Sequence, residues 1–257
     1  MKMKKHTVSF IIITLLLLTS CASRKKIVYL NQLEADKTED LNPYTTTLQP
    51  DDLLSIIVNS KAEMLAEDFN LPTINLQINS ESAGGQQRIQ TYLIDKDGFI
   101  DFPEIGKIKL GGLTREEAIT ALTDVIKPQV ADALINLRIL NFKVTVQGEV
   151  ASPGTFPINT ERITLFQALS LAGDMTIYGK RKDVLIIREF DGKRTFTKVD
   201  ITNPDFMNSD FYYLKQNDVV YVEPNKTQVN SSVIGRDLTV AISAISLLVT
   251  IIVAVTR

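Results

Sequence analysis

Leu48-Gln49-Pro50-Asp51-Asp52-Leu53-Leu54-Ser55-Ile56 and a distant echo, Leu214-Lys215-Gln216-Asn217-Asp218-Val219-Val220-Tyr221-Val222, decide the fold of this chain. Each reads as a polar turn carrying Asp, followed by a strand of branched apolar residues. Asp in such a turn hydrogen-bonds its own backbone, so Asp52 and Asp218 are read as structural residues and not as catalytic ones. Taken alone, the echo fits a chance pairing of two ordinary turn-then-strand units equally well.

Working outward, the two turns sit in two small α+β units. In the first, 61–90 is a long polar excursion or hairpin containing Gly84-Gly85, and 92–102 (YLIDKDGFIDF) predicts two strands around a Lys96-Asp97-Gly98 turn. Thr114-Arg115-Glu116-Glu117 is a capping box opening a helix with Ala118, Ile119, Leu122, Val125 and Ile126 on one face, and Pro128 ends it. The second unit begins near Asn141. A strand over 142–150 (FKVTVQGEV) leads to Ser152-Pro153-Gly154-Thr155-Phe156, read as a turn with Pro at i+1 and Gly at i+2. Residues 164–172 (TLFQALSLA) form a short apolar helix with Gly173 as its C-cap. Strands over 183–190 and 194–199 around Asp191-Gly192, then 219–222, complete a β-grasp type unit.

What the composition lacks narrows the function. The 257 residues hold one His, one Cys and no Trp, and His6 and Cys21 both lie near the N-terminus. The rest of the chain has neither imidazole nor thiol, which excludes Ser-His-Asp and Cys-His catalysis, His/Cys zinc sites and redox dithiols there. No Gly-rich loop follows a strand and opens a helix, so nucleotide binding has no support. A net charge of −2 argues against a nucleic-acid surface. No metal and no cofactor is expected. Asp95, Asp97, Glu116 and Glu117 could be drawn as the carboxylates of a glycan hydrolase. Turn chemistry and helix capping account for all four.

Both ends point to a membrane. Lys2, Lys4 and Lys5 precede an apolar run over 8–18, too short for a span and suited to a signal peptide. Leu18-Thr19-Ser20-Cys21 follows and resembles the bacterial lipobox, so cleavage before Cys21 would leave a thiol to be acylated. By resemblance to lipoprotein sorting, Ala22 in place of Asp favours the outer membrane. An uncleaved signal anchor is the alternative. Near the C-terminus, 238–255 (LTVAISAISLLVTIIVAV) has no charge and is long enough, as a helix, to cross a thin bilayer. Thr239, Ser243, Ser246 and Thr250 share one face of that helix, which asks for a partner: a second copy, or water in a pore. A simple tail anchor or a buried helix also fits. The polar stretch 22–42 reads as a tether to the folded body.

Taken together, these residues resemble the outer-membrane polysaccharide export lipoproteins of the Wza type. A motif like the family's Y-x-L-x-P-G-D-x-L-x-I-x-V reads here as Tyr44 through Leu48, then Pro50, Asp52, Leu54, Ile56 and Val58, with Tyr44 two residues earlier than the pattern and Asp51 at the usual Gly. Asp97-Gly98 through Pro103 to Gly106 matches a second motif. Val144 to Val150 with Gly148, Pro153-Gly154 and Gly173 resembles a soluble-ligand-binding β-grasp (SLBB) module, present once where longer members have two or more. The resemblance implies a lipidated, ring-shaped homo-oligomer in the outer membrane whose C-terminal helices line a pore. Capsular polysaccharide or exopolysaccharide would pass through it, delivered by an inner-membrane co-polymerase. It implies no catalytic residue. The expected layout is a signal peptide over 1–20, a lipidated tether over 21–43, a polysaccharide export domain over 44–140, an SLBB domain over 141–224, and a linker with a membrane-spanning helix over 225–257. Competing readings are a scaffolding envelope lipoprotein with a lone tail anchor, and a carboxylate-dependent periplasmic hydrolase acting on glycans.

Overall fold

Alternation along β1 (Leu53–Asn59) buries Leu54, Ile56 and Val58 and turns Ile57 and Asn59 outward, with Ser55 buried as well. The computed structural model describes residues 27–31, 33, 36, 38, 44–71, 74–76, 86–88, 91–190, 192–233, 240, 243, 244, 246–248, 250 and 251. After β1 the first half runs α1 (Glu63–Glu67), β2 (Ile74–Leu76), β3 (Gln86–Arg88), β4 (Tyr92–Leu93), β5 (Phe99–Phe102), β6 (Gly106–Lys109), α2 (Arg115–Ile126) and β7 (Leu134–Ile139). β1 lies between β4 and β7 in an antiparallel sheet, with Leu53 opposite Leu93 and Leu54 opposite Ile139. The polar excursion carries the β2–β3 hairpin.

The two expected strands around Lys96-Asp97-Gly98 both form, but they do not pair as one hairpin ladder. Gly98 is left-handed at φ 86, and the Asp95 carboxylate accepts from the amides of Asp97 and Phe99, so the turn itself forms. Its arms then part, β4 to β1 and β5 to β6, because Tyr92 and Ile94 are needed in the core beside β1. The capping box holds: Thr114 Oγ1 accepts from the Glu117 amide and Glu117 Oε2 from the Thr114 amide. α2 buries Ala118, Leu122 and Ile126, while Val125 is exposed. This half closes over its own core, with Leu48, Ile100 and Leu110 among its buried members.

The second half continues with β8 (Lys143–Gly148), β9 (Gly154–Pro157), β10 (Ile163–Thr164), α3 (Leu165–Leu171), β11 (Val184–Phe190), β12 (Lys193–Val199), β13 (Tyr213–Leu214), β14 (Val219–Val222) and α4 (Lys226–Val233). Its five-stranded sheet has the order β12-β11-β14-β8-β9, antiparallel except where β14 meets β8. Thr164 and Gln167 form a second capping box on α3, and Gly173 follows the helix at φ 71. The Pro153-Gly154 turn departs from expectation. Gly154 is already a strand residue paired with Val146, and the left-handed residue is Gly148, at φ 91. A Cβ at Gly148 would overlap the Val222 carbonyl oxygen, so the parallel β8–β14 contact needs glycine there.

Residues 27–31 also depart from the free tether that the polar sequence suggests. The amides of Leu30 and Asn31 donate to the carbonyls of Ile201 and Thr202, at 3.2 and 3.0 Å. Tyr29 packs against the second core beside Phe166. The segment thus docks on the second half through Tyr29, Leu30 and Asn31, while Val28 stays exposed. Among the described residues no helix is long and apolar enough to cross a membrane. In the C-terminal segment, 240, 243, 244, 246–248, 250 and 251 are helical and exposed, and the remaining positions of 234–257 lie outside the described residues.

Candidate functional site at the paired Asp turns

The two Asp turns are one structure built twice. Asp52 Oδ2 accepts from the Gln49 amide and Asp218 Oδ2 from the Lys215 amide, both at 2.8 Å. Each Asp amide closes on the carbonyl three residues back at 3.1 Å. The preceding residue is left-handed in both, Asp51 at φ 69 and Asn217 at φ 64, a conformation that Asp and Asn tolerate. The repeat extends further. The residue before each turn pairs antiparallel with the Thr that caps a helix: Thr47 with Thr114, and Tyr213 with Thr164. In the first half the turn precedes the helix, and in the second it follows.

One position separates the copies electrostatically. Val219 faces Ile187, which puts Arg188 one step on, beside Asp218. The Arg188 guanidinium grips Asp218 through Nε at 2.9 Å and Nη2 at 2.7 Å, donates to the carbonyls of Asp210 and Tyr213, and lies over the Phe211 ring. Leu53 faces Leu93 in the first half, and one step on stands Ile94, whose backbone bonds those of Asp51 and Asp52. Among the described residues Asp52 therefore lies buried with no ion-pair partner, and its Oδ1 has no hydrogen-bond partner. Burial raises its pKa to about 6, partly offset by the Gln49 amide and reinforced by Asp51.

Asn141 joins the two turns. Its side chain accepts from the Leu53 amide at 2.9 Å and donates to the Asp51 carbonyl at 2.8 Å. Its carbonyl accepts from Gln216 Nε2 at 2.9 Å, and Gln216 Oε1 accepts from the Lys143 amide at 2.8 Å. A cleft of about 880 Å³ opens beside the turns, lined by Asp51, Asp97, Lys109, Phe190, Lys193 and Asn217. A second, of about 670 Å³, is lined by Tyr44, Asp52, Arg115, Glu116, Arg138 and Arg162.

The structure disperses the acidic residues that could be drawn as a hydrolase. Asp97 borders the first cleft and Glu116 the second, Asp95 is held by its turn, and Glu117 caps α2. Gly98 and Gly106 hold positive φ in the first half, at 86° and 87°. Cys21 and Thr239 lie outside the described residues. Ser243, Ser246 and Thr250 are exposed helical positions, and Thr250 Oγ1 donates to the Ser246 carbonyl at 2.8 Å. Sequence reading missed Arg188, Asn141 and Gln216. Arg188 carried a signal, because alternation along VLIIREF puts it inward with Val184 and Ile186.

The family model described as polysaccharide biosynthesis/export protein matches residues 40–151, and that of the SLBB domain matches 142–222. The chain is 28% identical over 183 residues to the EPS I polysaccharide export outer membrane protein EpsA of Ralstonia solanacearum, covering 68% of this chain and 47% of that protein. A protein of the same description from Ralstonia nicotianae is 33% identical over 129 residues, covering 48% of this chain and 32% of its own length. The chain thus spans about half or less of the length of these curated relatives. The two cores, joined through Asn141, are thus matched in order by a polysaccharide biosynthesis/export domain and one SLBB domain.

Proposed function

We propose that this protein is an outer-membrane component of a polysaccharide export path, carrying capsular polysaccharide or exopolysaccharide and performing no catalysis on it. The observation that supports this most is the unbroken match of an export domain and one SLBB domain across 40–222, beside the chain's likeness to proteins described as polysaccharide export outer membrane proteins. In this reading the layout follows the sequence: a signal peptide over 1–20, a lipidated segment over 21–43, an export domain over 44–140, an SLBB domain over 141–224 and a membrane-directed tail over 225–257. Several acyl chains on Cys21, each contributing about 0.8 kcal/mol per buried CH₂, anchor the folded domains on the periplasmic side. The chains assemble as a ring, with an inner-membrane co-polymerase supplying the polymer. Thr239, Ser243, Ser246 and Thr250 line the lumen, where short hydroxyls bond sugar weakly and reversibly.

Deleting the locus should abolish polymer at the cell surface, and normal surface polymer in the deletion strain overturns the reading. Cys21→Ser should leave an unprocessed precursor without fatty-acid label. Mature protein of normal size in the outer-membrane fraction would sink the lipidation proposal. In the lipidated chain, Ser243→Cys and Ser246→Cys should react with an impermeant thiol reagent while Leu248→Cys stays protected. Thr250 already bonds back to the Ser246 carbonyl, which is what a lone tail anchor also allows. Protection of all three positions, with no ring on native electrophoresis, therefore favours the anchor and ends the pore proposal.

A further inference from the structure

Loop 174–182 gathers three distant parts of the chain. Tyr29 of the docked N-terminal segment donates to Asp174 Oδ1 at 2.5 Å and lies under the Arg181 guanidinium. Arg181, buried, donates to the carbonyls of Gly179 and Thr176 and so fixes the loop from inside. Gly179 bridges Pro224, and the Asn225 amide donates to the Tyr178 carbonyl at 2.8 Å, immediately before α4. Gly179 itself has no room for a Cβ between Met175, Val222 and the Glu149 carbonyl. On this rigid support two large apolar side chains stand in solvent, Ile177 at 55% and Tyr178 at 40% exposure.

We propose that Ile177 and Tyr178 are a membrane contact, seated in the headgroup region of an anionic bilayer. The inference rests on reading Cys21 and 238–255 as membrane-directed. Cys21 is eight residues before Tyr29, a reach of at most about 28 Å. The C-terminal segment leaves from the same loop through α4. Both ends therefore hold this loop close to the bilayer. An exposed Ile beside a Tyr, whose ring is apolar and whose hydroxyl is polar, suits the interface. Arg24-Lys25-Lys26, in sequence between Cys21 and the docked segment, supply charge that an anionic leaflet attracts. Leu134, exposed on the first-half sheet, has no hydrogen bond to 27–31 or to α4 among the described residues.

The natural absence of Trp gives a clean probe. Full-length, processed protein carrying Tyr178→Trp, Ile177→Trp or Leu134→Trp is bound to phosphatidylethanolamine–phosphatidylglycerol vesicles and floated. The Tyr178→Trp and Ile177→Trp proteins should emit to the blue, with quenching by shallow-brominated lipid at least about twofold stronger than for Leu134→Trp. Flotation with equally weak quenching at all three positions overturns the proposal and leaves the membrane attachment standing. Failure of the unsubstituted protein to float overturns both.

Discussion

Arg188→Ile is expected to destabilise the second half by about 3–5 kcal/mol, the usual cost of stripping one partner from a buried ion pair. Asp218 is fully buried and would keep only the Lys215 amide on its carboxylate. The carbonyls of Asp210 and Tyr213 would lose their donor, and Phe211 would lose the cation over its ring. The substitution installs the arrangement that already exists around Asp52, where Ile94 takes the equivalent place. Adding Asp218→Asn should recover a substantial part of the loss, because the charge goes while the turn keeps an acceptor for Lys215. Urea unfolding followed by circular dichroism reads the change as a shifted midpoint. A loss under about 1 kcal/mol, or no recovery in the double variant, would show that Asp218 is not held as a charge by Arg188.

What was legible in the sequence was what backbone chemistry dictates locally. The capping box at Thr114, the left-handed Gly173 after a short apolar helix and the Asp turns each follow from contacts spanning three or four residues. The echo between 48–56 and 214–222 was visible, but its meaning was not. Its second element, the capped helix paired to the residue before the turn, lies 67 residues downstream in one copy (Thr47 to Thr114) and 49 upstream in the other (Tyr213 to Thr164). Strand partners were the weak point for the same reason. Tyr92 and Phe99 flank a well-formed turn and still join different sheets, because burial beside β1 outweighs the local hairpin. The docking of Tyr29 needed Asp174 and Arg181, residues far away in sequence that no periodicity connects to it. A polar neighbourhood read as a tether thus concealed one anchored segment at 29–31.

The same comparison of the two turns gives Asp52→Asn the opposite sign from Arg188→Ile. Asp52 is about 6 in the folded chain against an ordinary 3.8, raised by burial without a cation. Below the ordinary value both the folded and the unfolded chain carry the proton, so the group costs nothing there. Between the two values only the folded chain binds it, so stability falls as pH rises through this window. Above about pH 6 the full penalty is present, on the order of 3 kcal/mol at most. Asn keeps an acceptor for the Gln49 amide and cannot ionise. The Asp52→Asn chain should therefore be more stable than the parent at pH 7.5, by roughly 1–3 kcal/mol, with the difference shrinking to near zero by about pH 4. Measuring the variant against the parent at each pH cancels the titration of all other groups. A pH-independent loss of stability in Asp52→Asn would mean that the carboxylate is satisfied as an anion in the folded chain. Asp52 would then have found a cation to replace the one that Arg188 gives Asp218, and the two turns would be electrostatic equivalents after all.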